Sequence, residues 1–189
     1  YRPLTFTVPD AAAMRVVLAG GIPAYLIEDP ALPMVDLRIL VRGGSFDEPR
    51  GREGLADLTA SLMRTGGTAA RAPEVVDEEL DFLAAQLSIG VDDVQGAVSL
   101  SILSKDLDRG LEILWDVLKN PAFKQDRLDT LKAQALDGLK SRNDRTASIE
   151  AREVSQLFYG DYPLNRLTTK GSLEALSRED LQAYHRWWM

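Results

Sequence analysis

The sequence contains no cysteine and a single histidine, His185. Without thiols there is no disulfide, no thiolate metal site and no cysteine nucleophile. One imidazole excludes any site that needs two histidine ligands from this chain. Positive charge is also in short supply: 22 Lys and Arg stand against 29 Asp and Glu, a formal net charge of −7. Phosphate backbones are gripped by clustered Lys and Arg, so nucleic acid is not expected as a partner. The longest nearly apolar run, Val16 to Ile27, is too short to span a bilayer and is broken by Gly20, Gly21 and Pro23, so no membrane association is expected. Walker loops and dinucleotide glycine fingerprints are missing. Gly43-Gly44-Ser45-Phe46-Asp47 lacks the second glycine of a nucleophile elbow. The chain opens at Tyr1 without a recognisable export signal and reads as a processed or trimmed product.

What is present is globular. Apolar residues make up 45% and charged residues 27% of 189 positions, enough for a single domain over 1–189 with a sizeable core. Short apolar runs at Met14–Leu18 and Ala24–Ile27 flank a Gly20-Gly21-Ile22-Pro23 turn and read as strands. From Met34 to Arg42 the sequence alternates, with Val35, Leu37, Ile39 and Val41 on one face, which predicts a half-buried strand. Leu55, Leu58 and Leu62 predict a helix from about Glu53 to Arg64, and Pro73 opens another that carries Val76, Leu80 and Leu83 inward. Gln86–Val91 and Gly96–Leu103, joined through Asp92-Asp93, predict an antiparallel hairpin. Further helices follow over Leu107–Leu118, Asp126–Ser141 and Ile149–Tyr159, and a last one starts at the capping box Ser177-Arg178-Glu179-Asp180. The fold class this order predicts is α+β, with helices on one face of a largely antiparallel sheet. The chain stops at Trp187-Trp188-Met189, and ending on exposed indoles reads as the edge of a fragment.

Few side chains are candidates for chemistry. His185 lies among aromatics on a helix, where packing is the plain reading. Asp92-Asp93 and Asp77-Glu78-Glu79 could serve acid–base work, and solvated turn and helix faces explain them equally well.

The stretch from Arg42-Gly43-Gly44-Ser45-Phe46-Asp47-Glu48-Pro49 through Gly54-Leu55-Ala56-Asp57-Leu58 to Thr65-Gly66-Gly67-Thr68 resembles the insulinase, pitrilysin and mitochondrial processing peptidase family, the inverzincin metallopeptidases. The resemblance continues in order through Leu103-Ser104-Lys105-Asp106-Leu107, Asn120-Pro121-Ala122-Phe123, Leu157-Phe158-Tyr159-Gly160-Asp161 and Ser177-Arg178-Glu179-Asp180-Leu181. It implies the first half of a two-halved subunit, less its final strand. In that family a His-x-x-Glu-His helix binds zinc and supplies the general base, and a glutamate on a later helix completes the ligand set. The corresponding positions here hold Asp57, Ala60 and Ser61, with the third ligand falling near Asp137. The resemblance therefore implies a chain with no catalytic residues and no metal or other cofactor of its own. Zinc is expected only in a partner, a catalytic insulinase-family subunit with which this chain helps to bind and enclose peptide or unfolded protein. Peptide held as an added strand is expected along Ser88, Ile89, Gly90 and Val91. A periplasmic location is the accompanying expectation. Two alternatives stand beside this reading: an active metallopeptidase with an atypical ligand set such as Asp57, Asp137 and His185, and a purely structural assembly module.

Overall fold

A computed structural model describes residue 8 and residues 10–189, which form two compact units, the first ending at Pro33 and the second beginning at Met34. In the first unit the Asp10 carboxylate accepts the Ala12 N–H at 2.9 Å and caps a single helical turn, α1 (Ala11–Met14). Strands β1 (Arg15–Val17) and β2 (Pro23–Tyr25) then pair antiparallel. Gly20 and Gly21 both take positive φ, 82° and 81°, in the connection between them, a conformation open to glycine at no steric cost. Both strands are shorter than the apolar runs suggest. Met14 ends the capped alanine turn and does not begin β1, because Ala11–Ala13 favour helix once Asp10 supplies the cap.

The second unit is built on a three-stranded antiparallel sheet with the order β3 (Met34–Arg42), β5 (Gln95–Leu103), β4 (Gln86–Val91). The register aligns Ile39, Val98 and Ile89 across the sheet, and next to them Leu37, Leu100 and Leu87. Those side chains share one face, where Leu87, Val98, Leu100 and Ile102 are buried. The opposite face carries Asp36, Arg38, Ser88, Ser99 and Ser101. Antiparallel strands with one apolar face must bury it against helices, and this sheet does so.

Helix α2 (Leu55–Thr65) buries Leu55, Leu58, Leu62 and Met63 and packs against β4. Helix α3 (Pro73–Phe82) turns Val76 and Leu80 inward. Helix α4 (Leu107–Lys119) lies on β5 with Gly110 so close to Ile102 that an added Cβ would sit 2.4 Å from its Cδ1. Helix α5 (Gln125–Lys140) packs on α2, whereas α6 (Thr146–Tyr159) buries no residue completely. A short helix not foreseen from the periodicity, α7 (Lys170–Ala175), is nucleated by reciprocal capping. The Ser172 N–H donates to Thr169 Oγ1 at 3.0 Å and the Thr169 N–H to Ser172 Oγ at 2.9 Å. The predicted box at Ser177 and Asp180 caps α8 (Arg178–Trp188) in the same way. Among the described residues no helix is long and apolar enough to cross a membrane.

One expectation at the end of the chain needs correction. Of the two terminal indoles, Trp187 is exposed, at 57%, and Trp188 is buried, at 4%. The reason is Gly96 on β5, where a Cβ would lie 1.8 Å from Trp188 Cζ2, so the missing side chain is the space that the indole occupies. Tyr184, one turn earlier, donates its hydroxyl to the Gly44 carbonyl at 3.1 Å and ties α8 to the loop after β3. Gly96→Ala is therefore expected to destabilise the chain by about 1–3 kcal/mol, the usual penalty for overpacking. Tyr184→Phe is expected to cost about 1 kcal/mol for one lost hydrogen bond. Urea denaturation checks both, and a smaller Trp188→Leu side chain should recover part of the Gly96→Ala loss.

Candidate functional site

The loop after β3 is sewn to the β4–β5 turn by backbone bonds. The Ser45 N–H donates to the Asp92 carbonyl at 3.0 Å, and the Phe46 N–H to that of Asp93 at 2.9 Å. A Cβ on Gly44 would stand 2.2 Å from the Asp92 carbonyl oxygen, so this approach requires glycine. Asp92 and Asp93 serve the turn. Asp92 Oδ1 accepts the Val94 and Gln95 N–H groups at 2.9 and 2.8 Å, which hold its carboxyl below the ordinary range, and Asp93 Oδ1 accepts the Ser45 hydroxyl. The second acidic run is equally structural in part: Asp77 pairs with Arg64, and Glu79 with Arg71 and Arg109.

The loop delivers Glu48, which is 5% exposed, to the start of α2. Its carboxylate accepts the Ala56 N–H at 2.7 Å and the Gly54 N–H at 3.1 and 3.2 Å, two of the donors that a helix start leaves without a partner. Gly54 reaches this position with φ 101°. The Arg166 guanidinium donates to the Glu48 carbonyl at 2.8 Å, and the Ser172 hydroxyl to that of Glu53 at 2.9 Å. Burial raises the Glu48 carboxyl above its ordinary value; the two N–H donors pull it down by less. The start of α2 is thus held from three directions.

On that fixed helix, Asp57 is exposed and Ser61 half-buried, as their distance from the leucine stripe predicts. Ala60 is 2% exposed, turned into the core. Desolvation by the surrounding protein raises the Asp57 carboxyl. Asp137 is an exposed residue of α5 paired with Lys140 at 3.1 Å. His185 lies elsewhere again, its Nε2 2.8 Å from the Leu118 carbonyl and its ring edge-on to Phe123, a packing role. The structure does not bring Asp57, Asp137 and His185 together, and among the described residues no three His, Cys, Asp or Glu side chains cluster to hold a metal. The donor set does not fit zinc: Ser61 offers a neutral hydroxyl, Ala60 offers nothing, and neither position supplies an imidazole.

The expected peptide strand, β4, lies at the edge of the sheet and pairs only with β5 among the described strands. The Asp92 N–H bonds the Gln95 carbonyl, and in an antiparallel ladder alternate residues face the partner, so Ser88 and Gly90 turn their backbone groups to β5. Leu87, Ile89 and Val91 turn theirs to the free edge. Arg64 Nε already donates to the Leu87 carbonyl at 2.8 Å, joining α2 to that edge. The pairing capacity left for an incoming strand belongs to Ile89 and Val91, a distinction that side-chain alternation alone does not reveal.

Comparison with known proteins agrees with this arrangement. The family model for insulinase (Peptidase family M16) matches residues 24–171. The Helicobacter pylori non-peptidase homolog YmxG is 25% identical over 92% of the chain and 40% of its own length. Mitochondrial-processing peptidase subunit beta of Blastocladiella emersonii is 23% identical over 97% of the chain and 39% of its own length. The crystal structure of a peptidase M16 inactive domain from Pseudomonas fluorescens superposes with a TM-score of 0.83 at 24% identity, over 90% of this chain and 42% of that one. The chain thus spans about two fifths of the curated relatives named here.

The cap on α2 sets an expected pH response. Glu48→Ala leaves the Gly54 and Ala56 N–H groups without their acceptor, at a cost of about 1–3 kcal/mol, while Glu48→Gln keeps an acceptor and costs less. Because folding raises the Glu48 carboxyl, the wild-type side chain contributes most when protonated, and that contribution is lost as pH rises through the raised value. Glu48→Gln should therefore gain stability relative to wild type as the pH rises from about 4 to about 7. Denaturant melts of both proteins over that interval check the sign.

Proposed function

The chain belongs to the insulinase family of peptidases, and from that premise we propose that it is a non-catalytic member of that family. It pairs with a zinc-bearing subunit and helps to bind and enclose peptide. The observation that carries this reading is the state of α2. The helix is intact and capped, with Asp57, Ala60 and Ser61 at the positions where the family's His-x-x-Glu-His motif would stand, and Ala60 is buried where a base would be needed. Without that base and two imidazoles the chain has no means to activate a water on zinc. The relatives support the reading: one is described as a non-peptidase homolog, another as a subunit of a processing peptidase, and one neighbouring structure as an inactive domain. An active site on Asp57, Asp137 and His185 is disfavoured, since Asp137 is paired with Lys140 and His185 with the Leu118 carbonyl.

Within this proposal the peptide pairs along the free edge of β4, main chain to main chain, through Ile89 and Val91. The periplasm is the proposed compartment.

The deciding experiment purifies the protein carrying this chain from periplasmic and cytoplasmic fractions of its native cells and identifies what accompanies it. A stoichiometric partner bearing an intact His-x-x-Glu-His helix is the expected result, with metal-dependent peptidase activity in the pair and none in this chain alone. Purification alone, or as a homo-oligomer, would overturn the pairing. For the edge strand, a photo-crosslinker carried on a model peptide should label β4. Val91→Pro removes an outward N–H while leaving the ladder to β5 intact, and it should reduce labelling several-fold without unfolding the chain.

A further inference from the structure

Helix α3 carries five acidic residues in ten positions and no basic one: Glu74, Asp77, Glu78, Glu79 and Asp81. Its inward face, Val76 and Leu80, accounts for its place in the core. The outward flank is not explained by folding. Val75 is 41% exposed and Phe82 is 90% exposed, seven positions and hence two turns apart on one side of the helix. Together with Leu83, Glu78 and Glu79, and with Arg109 of α4, they line an open, shallow groove of about 340 Å³.

The unpaired charge around this groove has one sign. Arg109 is spent: its guanidinium donates to Glu79 at 2.6 Å and to Glu112 at 2.5 Å. Glu79 is neutralised by the same contact and by Arg71. Glu78, which lines the groove, and Asp81 beside it form no ion pair among the described residues. An apolar floor with an uncompensated negative rim selects its occupant: an apolar side chain for the floor and Lys or Arg for the rim.

We propose that this groove between α3 and α4 docks a basic amphipathic segment of another protein, seating an apolar residue against Phe82, Leu83 and Val75 and basic residues on Glu78 and Asp81. The site is separate from the β4 edge, and its failure would leave the pairing proposal untouched. Helical spacing on both sides suits it, because residues three or four apart on the incoming segment present one apolar and one basic row to the floor and rim. Attraction between exposed charges weakens as salt rises, so binding is expected to fall between low and high ionic strength while the apolar contact persists.

Fluorescence anisotropy with a labelled synthetic helix of Leu and Lys tests the proposal, with a Leu and Glu helix of the same pattern as control. Wild type is expected to bind the cationic peptide at least about tenfold more tightly than the anionic one. Phe82→Ser and Glu78→Lys are each expected to weaken that binding by about tenfold or more, since a central aromatic and a rim charge act together. Both residues are exposed, and circular dichroism verifies that the variants fold. Leu157→Ser, which removes another exposed apolar side chain on α6, should leave binding unchanged. The proposal is overturned if wild type fails to bind the cationic peptide, or if the anionic peptide binds equally well. It also fails if Leu157→Ser weakens binding as much as Phe82→Ser. Self-association abolished by Phe82→Ser in sedimentation would assign the groove to a second copy and overturn it too.

Discussion

The hold of Glu48 on the first turn of α2 is the constraint on which the rest of the second unit rests. A helix start leaves N–H groups without partners, and here two of them are buried, so they must be met by an acceptor brought from outside the helix. Glu48 provides it at the cost of burying a carboxylate, a cost visible in its raised carboxyl. The loop that delivers Glu48 is fixed by backbone bonds to the β4–β5 turn, its carbonyl is taken by Arg166, and Tyr184 of α8 closes on Gly44. The loop that carries Glu48 therefore couples the sheet, the helix that follows it and the last helix of the chain.

The residues that hold α2 in place are distinct from the family's motif positions on it. The groups that position α2 are Glu48, Gly54, Arg166 and Ser172, and its packing rests on Leu55, Leu58, Leu62 and Met63. None of these stands at the ligand positions of the family's motif. Asp57 and Ser61 face away from the leucine stripe, so exchanging imidazoles for them costs little packing. Alanine at position 60 is small enough to be buried without an unpaired polar group. The family's motif positions and the folding residues are thus separate on this helix, so substitution at the first need not disturb the second.

Much of this was legible in the sequence, and for identifiable reasons. The alternation of Val35, Leu37, Ile39 and Val41, the stripe of Leu55, Leu58 and Leu62, and the box at Ser177 and Asp180 are local signals, and the structure honours each. The insulinase resemblance, carried by collinear motifs, agrees with the matched family. What the sequence hid was non-local. Trp188 looks exposed beside Trp187 until Gly96, nearly a hundred positions earlier, is seen to make room for it. The role of Glu48 is hidden likewise, because nothing within its own loop says that its carboxylate turns toward Gly54 and Ala56. The short helix α7 was overlooked because six residues give periodicity too little length to register, although Thr169 and Ser172 did carry a capping signal.

The edge of β4 shows how far side-chain reasoning reaches in a sheet. Period-two alternation tells which side chains share a face, as it does for Val35, Leu37, Ile39 and Val41 on β3. It does not tell which backbone groups face a neighbour, since that depends on how the β4–β5 turn sets the ladder. The bond from the Asp92 N–H to the Gln95 carbonyl fixes it, and Arg64 then claims the Leu87 carbonyl. An incoming strand would therefore have to meet this edge beyond Arg64, at Ile89 and Val91, alongside the helix that carries Asp57 and Ser61 at the family's motif positions. In the proposed role the domain keeps an edge beside α2 that could orient a peptide, without the imidazoles and base that would cut it. Orientation needs only main-chain donors and acceptors, which substitution of side chains does not remove, whereas cleavage needs particular side chains at particular places. Loss by substitution is therefore expected to strike the chemistry first and the binding edge last.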